Sequence, residues 1–167
     1  MKQVLLVLAV LLSMTLVANS EELKRLGLDD SSQVSPRIEA DEKIKVEGKS
    51  SIRIATKWPV VVCMGEVEGP DVDGAKLVYS AQVKTDLKNK AVAYLEMWAH
   101  VDHGQYFSRG QADWVGKKSD WETIRVPFLF KPGQKPEKVT LNLVINGVGT
   151  VWVDDIVLSK EPLKAGE

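Results

Sequence analysis

The sequence predicts an all-β fold, an antiparallel sandwich or barrel. From Ile38 to Lys160, apolar residues recur at every second position, which is the pattern of strands with one buried face. The stretches between these segments are turn-like: "EGPDVDG", "VDHG", "KPGQKP" and "NGVG". No segment after Ser35 keeps a helical period for more than two turns. Many short strands separated by turns are typical of sandwiches and barrels.

Four segments carry the alternation most clearly, and we expect their apolar faces to form the core. These positions are Leu77, Tyr79, Ala81 and Val83; Ala93, Leu95, Met97, Ala99 and Val101; Ile124, Val126 and Phe128; and Val139, Leu141, Leu143 and Ile145. The sequence therefore predicts one sandwich domain over residues 38–160, a length of about 120 residues that is normal for a domain. Residues 161–167 should form a C-terminal tail.

The N-terminus predicts an exported chain. Residues 1–20 combine Lys2, the apolar run "VLLVLAVLLSMTLVA" and the small-residue stretch "ANS", as in a secretory signal peptide. An uncleaved membrane anchor is the alternative, but the run is shorter than the roughly 20 residues that a spanning helix needs. We therefore expect a secreted or periplasmic protein with no stable membrane span after cleavage. Residues 21–37 are charged, and we expect a flexible lead with little packing.

Charge and cysteine content exclude several classes of protein. The formal net charge is −1, and it becomes −2 without Lys2, so there is no electrostatic case for binding nucleic acid. Cys63 is the only cysteine, which excludes an intrachain disulfide. Its apolar surroundings, "VVVCM", predict a buried small residue rather than a reactive thiol.

Several segments resemble, in order, those of a known family. They are "VEGKSSIRI" (46–54), "KLVYSAQVKT" (76–85), "SDWETIRVPFLF" (119–130) and "VTLNLVINGVGTVWVDDIVLSK" (139–160). Together they resemble the jelly-roll carbohydrate-binding modules appended to xylanases and cellulases, within the galactose-binding-domain-like fold. The final segment is the most specific, with Gly-Thr-Val-Trp and Asp-Asp between two apolar stretches. The resemblance covers residues 46–160 and implies an antiparallel jelly-roll sandwich.

The resemblance also implies a structural calcium ion. In such modules an early Glu and an Asp of the final strand share Ca²⁺, which takes oxygen ligands from carboxylates and backbone carbonyls. Here the ligands would be Glu39 with Asp154 or Asp155, helped by carbonyls near residues 49–51. Strand parity favours Asp154 as the inward-facing one. The alternative is that both aspartates accept backbone N–H groups at a strand end and bind no metal.

A polar strand face supplies the predicted carbohydrate-binding residues. Tyr94, Glu96, Trp98 and His100 stand at every second position, so they share one side of a sheet. Aromatic rings can stack on sugars while polar groups bond the hydroxyls, and such mixtures suit ligand sites. The further candidates are Asn142 on a neighbouring strand and Tyr106, Arg109 and Trp114 in an expected loop over residues 106–120. Alternatively, the aromatic residues pack beneath a loop.

These observations favour an exported, non-catalytic protein that binds a poly- or oligosaccharide. The alternative is a secreted structural or protein-interaction sandwich whose partner is another extracytoplasmic protein. A hydrolase is least favoured, because no spacing singles out a pair of catalytic acids and there is no G-x-S-x-G motif. A zinc or copper site at His100, Asp102 and His103 is also disfavoured, because the two histidines have opposite strand parity.

Overall fold

The computed structural model describes residues 20–27 and 38–163, which form eleven β-strands. In chain order they are β1 (Glu21–Leu26), β2 (Ile38–Asp41), β3 (Ser51–Thr56), β4 (Val60–Glu68), β5 (Ala75–Leu87), β6 (Val92–Val101), β7 (Gly104–Arg109), β8 (Val115–Gly116), β9 (Glu122–Leu129), β10 (Lys138–Asn146) and β11 (Gly149–Pro162). Within these ranges there is no helix long and apolar enough to cross a membrane. The predicted signal peptide lies outside the described residues, apart from Ser20.

The strands form two antiparallel sheets packed as a sandwich. The first sheet has the order β2-β3-β11-β5-β9, and β1 also pairs with β11. The second sheet has the order β4-β10-β6-β7, and β8 also pairs with β6. The predicted all-β antiparallel sandwich is therefore confirmed.

The core lies between the two sheets and contains the predicted apolar positions. In the second sheet Leu141 lies opposite Met97 and Leu143 opposite Leu95, and all four side chains are fully buried. Their partners in the first sheet come mainly from β5, β9 and β11. Among the predicted positions only Phe128 is half-buried, and it still packs against the core.

The N-terminal segment differs from its prediction as a flexible lead. Glu21–Leu26 form β1, which lies antiparallel to residues 156–160 of β11. Leu23 and Leu26 pack against the core. This pairing satisfies backbone groups of β11 that β3 does not reach, because β3 pairs only with residues 149–153. Residues 28–37, the rest of the predicted lead, lie outside the described residues.

The C-terminal boundary also differs slightly from its prediction. Strand β11 continues to Pro162, where it still pairs with Ala75 of β5. The first residues of the predicted tail at 161–167 therefore belong to the sheet. Residues 164–167 lie outside the described residues.

The adjacent aspartates of β11 form a β-bulge. The register with β5 shifts between Asp154 and Val157, and Asp155 has a φ of 47°. Asp adopts this left-handed conformation more readily than most residues. The extra residue resets the alternation, so the strand buries the same face before and after it. The buried residues on the two sides are Val151, Val153, Ile156 and Leu158.

Candidate functional site

The solvent-facing side of the second sheet, here called the outer face, carries most of the predicted binding residues. Its middle strand is β6, which presents Tyr94, Glu96, Trp98 and His100 as predicted by strand alternation. The register with β10 and β7 sets their neighbours across the sheet. Asn142 and Arg109 flank Glu96, Thr140 and Phe107 flank Trp98, and Lys138 and Gln105 flank His100.

Glu96 is the centre of a hydrogen-bond network on this face. Its Oε1 accepts the indole N–H of Trp98 at 2.6 Å and the amide of Asn142 at 3.4 Å. Its Oε2 accepts the Nε–H of Arg109 at 2.6 Å. The side chain is therefore covered, and Glu96 is only 4% exposed. Each carboxylate oxygen has a donor, as a buried charge requires.

The network keeps Glu96 ionised despite its burial. Burial by itself raises the pKa of the Glu96 carboxyl, because it disfavours the charged form. The hydrogen bonds from Trp98, Arg109 and Asn142 favour the charged form and outweigh this effect. The resulting pKa lies below the ordinary value of a glutamate. The same contact raises the pKa of Arg109.

Two aromatic rings and a guanidinium form a continuous platform beside Glu96. The ring centroids of Trp98 and Phe107 are 5.0 Å apart with an angle of 40° between the planes. The Cζ atom of Arg109 lies 4.6 Å from the centroid of Phe107, within cation–π distance. Phe107 is 51% exposed and Trp98 is half-buried. The platform thus offers flat apolar area to solvent next to charged groups.

Phe107 was not predicted as a site residue. A loop was expected over residues 106–120, but residues 104–109 form strand β7 and Val115–Gly116 form β8. The alternation in "GQYFSR", beginning after the turn signal "VDHG", is the signal that could have found it. Pairing with Trp98 places Phe107 on the outer face.

Tyr106 and Trp114 occupy different positions from the platform. Tyr106 lies opposite Ala99, whose side chain faces the core, so alternation directs Tyr106 away from the outer face. The ring of Trp114 lies close to Gly116, which pairs with Val92 at the start of β6. Trp114 is exposed at the Tyr94 end of the face. The structure therefore brings Arg109 to the platform and leaves Tyr106 outside it.

A shallow pocket of about 320 Å³ lies at the Tyr94 end of the outer face. Val144 of β10 stands between Tyr94 of β6 and Val61 of β4 in the sheet register. Val61 is 58% exposed. The complete lining is Pro59, Val60, Val61, Tyr94, Val144, Ile145 and Asn146. The outer face is thus aliphatic at one end and polar in the middle.

Cys63 is exposed, which corrects the prediction of a buried thiol. The run "VVVCM" alternates as a strand, with Val62 and Met64 buried and Cys63 directed outward. Cys63 lies opposite Asn142 in the register, at the edge of the outer face. Partial burial raises the pKa of its thiol, so the protonated form is favoured.

The three carboxylates predicted to bind calcium do not fit such a site. Oδ2 of Asp154 accepts the backbone N–H groups of Val46 and Glu47 at 2.7 and 3.2 Å, and Oδ1 accepts that of Asp155 at 2.8 Å. Asp154 is buried as expected, but it anchors the loop over residues 42–50. Three backbone N–H groups thus occupy positions on this carboxylate that a calcium ion would otherwise use.

The other two predicted ligands are bound to arginines. Asp155 forms an ion pair with Arg25 of β1. Glu39 pairs with Arg53 at 2.6 Å, and its side chain is largely exposed. Among residues 20–27 and 38–163, no group of three or more His, Cys, Asp or Glu side chains is placed to hold a metal ion.

Comparisons with known proteins identify the fold. No protein-family model matches the sequence, and no curated protein matches it. The C-terminal family 22 carbohydrate-binding module of Clostridium thermocellum Xyn10B has a TM-score of 0.56 and 10% identity, covering 82% of this chain and 92% of that one. The CBM22-1 xylan-binding domain of Paenibacillus barcinonensis Xyn10C has a TM-score of 0.52 and 10% identity, covering 76% and 82%.

A longer chain gives a similar result. The N-terminal CBM22-1 and GH10 modules of Clostridium thermocellum endo-1,4-β-D-xylanase 10B, complexed with xylohexaose, have a TM-score of 0.54 and 12% identity. The match covers 88% of this chain but only 29% of that one. At these identities the likeness concerns the fold. The chain is a β-sandwich of the jelly-roll type found in carbohydrate-binding modules, as its sequence predicted.

Proposed function

We propose that the protein is an exported, non-catalytic glycan-binding protein whose site is the outer face of the second sheet. The observation that carries this proposal is the exposed Trp98–Phe107 platform, held in place by the buried Glu96 carboxylate. The fold supports it, since two of the solved structures with this fold are described as a xylan-binding domain and as a complex with xylohexaose. The signal-like residues 1–20 support export.

The platform has the chemistry that sugar recognition needs. The C–H face of a pyranose ring is apolar and can stack on the exposed parts of Trp98 and Phe107. Arg109 bonds Glu96 through Nε, and its guanidinium carries further N–H donors for hydroxyl oxygens. A flat apolar surface with a few placed polar groups is the usual composition of a small-ligand site.

Glu96 positions the platform rather than the sugar. Both of its carboxylate oxygens already accept hydrogen bonds, and the side chain is almost inaccessible. By fixing the indole of Trp98 and the guanidinium of Arg109, it limits the side-chain entropy that binding would otherwise remove. Asn142 is also largely buried, so we assign it the same role. These assignments replace the expected direct bonds from Glu96 and Asn142 to sugar hydroxyls.

The state of Glu96 supports a non-catalytic role. A glycosidase needs a carboxylic acid that stays protonated long enough to protonate the leaving group, and its pKa is raised for that purpose. The pKa of Glu96 is shifted downward instead, and Arg109 holds its charge. Glu96, the most buried carboxylate of this face, therefore has the charge state of a structural residue and not that of an acid catalyst.

A protein ligand is the second candidate. Several large apolar side chains on or near the outer face are exposed, and exposed apolar surface often marks an interaction site. They are Trp58, Val61, Phe107 and Trp114. The binding experiment below separates the two functions.

A glycan array probed with residues 21–167, followed by calorimetry on the best ligand, tests the proposal. Phe107→Ala and Trp98→Ala should each weaken binding by about tenfold or more, since loss of a central aromatic anchor commonly has this effect. Tyr106→Ala is the matched control, because Tyr106 is equally exposed at 53% but faces away from the platform. Its affinity should be unchanged. Absence of any glycan ligand, or equal affinity of all three variants and the wild type, would overturn the proposal and favour a protein ligand.

A further inference from the structure

We propose that the aliphatic pocket beside Tyr94 binds a short acyl substituent, an O-acetyl group, carried by the glycan on the platform. This inference rests on the proposed function. It makes the protein selective for acetylated over unsubstituted polysaccharide.

The pocket lies on the same face as the platform. Tyr94 lies on the same strand and the same face as Trp98, four residues away, which is roughly 13 Å at the rise of a β-strand. Val144 of β10 stands next to Tyr94 in the register, and Asn142 of the same strand stands next to Glu96. An oligosaccharide of a few units that stacks on Trp98 and runs along β6 therefore passes over the pocket.

The chemistry of the walls favours an acyl group over bare sugar hydroxyls. Pro59, Val61 and Val144 contribute aliphatic carbon to the lining, and a sugar hydroxyl in direct contact with this carbon gains no hydrogen-bond partner there. A methyl group placed against these side chains removes both its own apolar surface and theirs from water. The polar members of the lining are Tyr94 and Asn146, whose hydroxyl and amide can donate to an ester carbonyl. An acetyl ester has a methyl group next to a carbonyl group, which matches this combination of aliphatic side chains and hydrogen-bond donors.

The size of the pocket agrees with a substituent. A volume of about 320 Å³ in a shallow cavity leaves room for an acetyl group together with part of the sugar ring that carries it. The rest of the outer face carries charged side chains. Glu96 forms an ion pair with Arg109 in the middle of the face, and Lys138 forms one with Glu66 at the end opposite the pocket. The aliphatic lining is thus confined to one position along the path of the glycan.

The test compares matched ligands on the wild-type protein. Acetylated xylan and acetylated mannan, each with its counterpart from which alkali has removed the acetyl esters, are measured by isothermal titration calorimetry. The acetylated form of a bound polysaccharide should bind about tenfold more tightly, the effect of filling a small hydrophobic pocket. Equal binding, or preference for the de-esterified form, overturns this inference while leaving the proposed function standing. Binding to none of the four probes counts against both.

A variant pair locates the effect. Val61→Asn places an amide in the exposed wall of the pocket, and it should abolish the acetyl preference without changing affinity for the de-esterified probe. Val46→Asn is the matched control, since Val46 is also an exposed valine, at 46%, but lies on the loop that covers Asp154. It should retain the preference. A preference that survives in the Val61 variant, with an unchanged melting temperature, would place the acetyl group elsewhere and overturn the assignment.

Discussion

Glu96 projects from the solvent side of its sheet, yet its side chain is almost fully buried. The cover comes from its own hydrogen-bond partners, because Trp98, two residues along β6, and Arg109, directly opposite on β7, fold over the carboxylate. A buried acid normally has a raised pKa, and here the three donors reverse the direction. The charge on this one residue therefore contributes to the stability of the surface that we propose as the binding site.

Glu96→Gln should lower the free energy of unfolding at pH 7 by roughly 1.5–3 kcal/mol, the usual value for hydrogen bonds to a charged group. The pKa of Glu96 in the folded protein lies below its unfolded value of about 4.3. Its stabilising effect is therefore complete above that pH and is lost as the pH falls through the lower folded value. The difference between wild type and variant should shrink accordingly below about pH 4.

Urea unfolding between pH 7 and strongly acidic pH measures this difference. Glu68→Gln serves as the control, because Glu68 is an exposed glutamate of β4 outside the Glu96 network. It should show only a small change at every pH. A Glu96 variant whose stability deficit is the same at neutral and acidic pH would show that its charge plays no part.

Strand alternation predicted the β6 residues of the site but not their interactions. Tyr94, Glu96, Trp98 and His100 share a face because a strand has a period of two, and this can be read from one segment. The neighbours of Glu96 depend on pairing between strands. Arg109 reaches it through the turn after β6, where Asp102 and His103 both have positive φ. Two such residues form the tight turn typical of a two-residue hairpin. The sequence of either strand alone does not show which residues of the two strands lie opposite each other.

At the scale of the element, the bulge in β11 explains why two aspartates interrupt an apolar strand. Asp155 supplies the left-handed conformation, and Asp154 holds the loop over residues 42–50 against the sheet through backbone N–H groups. The sequence predicted that one aspartate would be buried and the other directed outward. The resemblance to carbohydrate-binding modules implied a calcium ion as the reason, with backbone N–H donors as the alternative, and such donors bond the buried Asp154. That loop is distant in sequence, so the strand alone could not show which N–H groups would bond Asp154.

Asp154→Ala should reduce the free energy of unfolding by about 1–3 kcal/mol, because the backbone N–H groups of Val46 and Glu47 would lose their charged acceptor. Asp155→Asn is the control, since it keeps a residue suited to positive φ and removes only a partly exposed ion pair with Arg25. Such pairs contribute about 0–1 kcal/mol. Thermal and urea unfolding of both variants measure the effect.

The same melting experiments with added calcium and with a chelator complete this test. We expect coincident curves, because the Asp154 oxygens are occupied by N–H donors. A melting temperature that rises with calcium in the wild type but not in Asp154→Ala would restore the calcium site.

At the scale of the whole molecule, the sandwich is stabilised by the faces that alternation identified. Leu143 of β10 lies opposite Leu95 and is fully buried, in the middle of the second sheet. Leu143→Ala should cost about 2–5 kcal/mol of unfolding free energy, the range for truncating a buried leucine. Leu129→Ala is the matched control, because Leu129 is 46% exposed at the end of β9. A small loss at Leu143, similar to that at Leu129, would mean that the second sheet is not packed as described.

The fold was therefore predictable where the alternation within a segment shows which face of the strand is buried. It was not predictable where a strand forms only by pairing with a segment distant in sequence. The segment "EELKRL" has two leucines among charged residues and no alternation that marks a strand. It becomes a strand only because β11 offers backbone groups beyond the end of β3. Interactions of this kind depend on residues more than a hundred positions apart and leave no local pattern.

The position of β11 has a consequence for how the chain folds. Among the described strands, only β11 pairs with β1, β3 and β5. The first sheet therefore lacks its central strand until residues 149–162 have been synthesised. Pairings of such high sequence separation close slowly, because the entropy of a long loop must be lost before any contact forms. During that interval the earlier strands can form hairpins but no complete first sheet. For a chain that we propose is exported, this delay would keep the polypeptide only partly folded until β11 has been made.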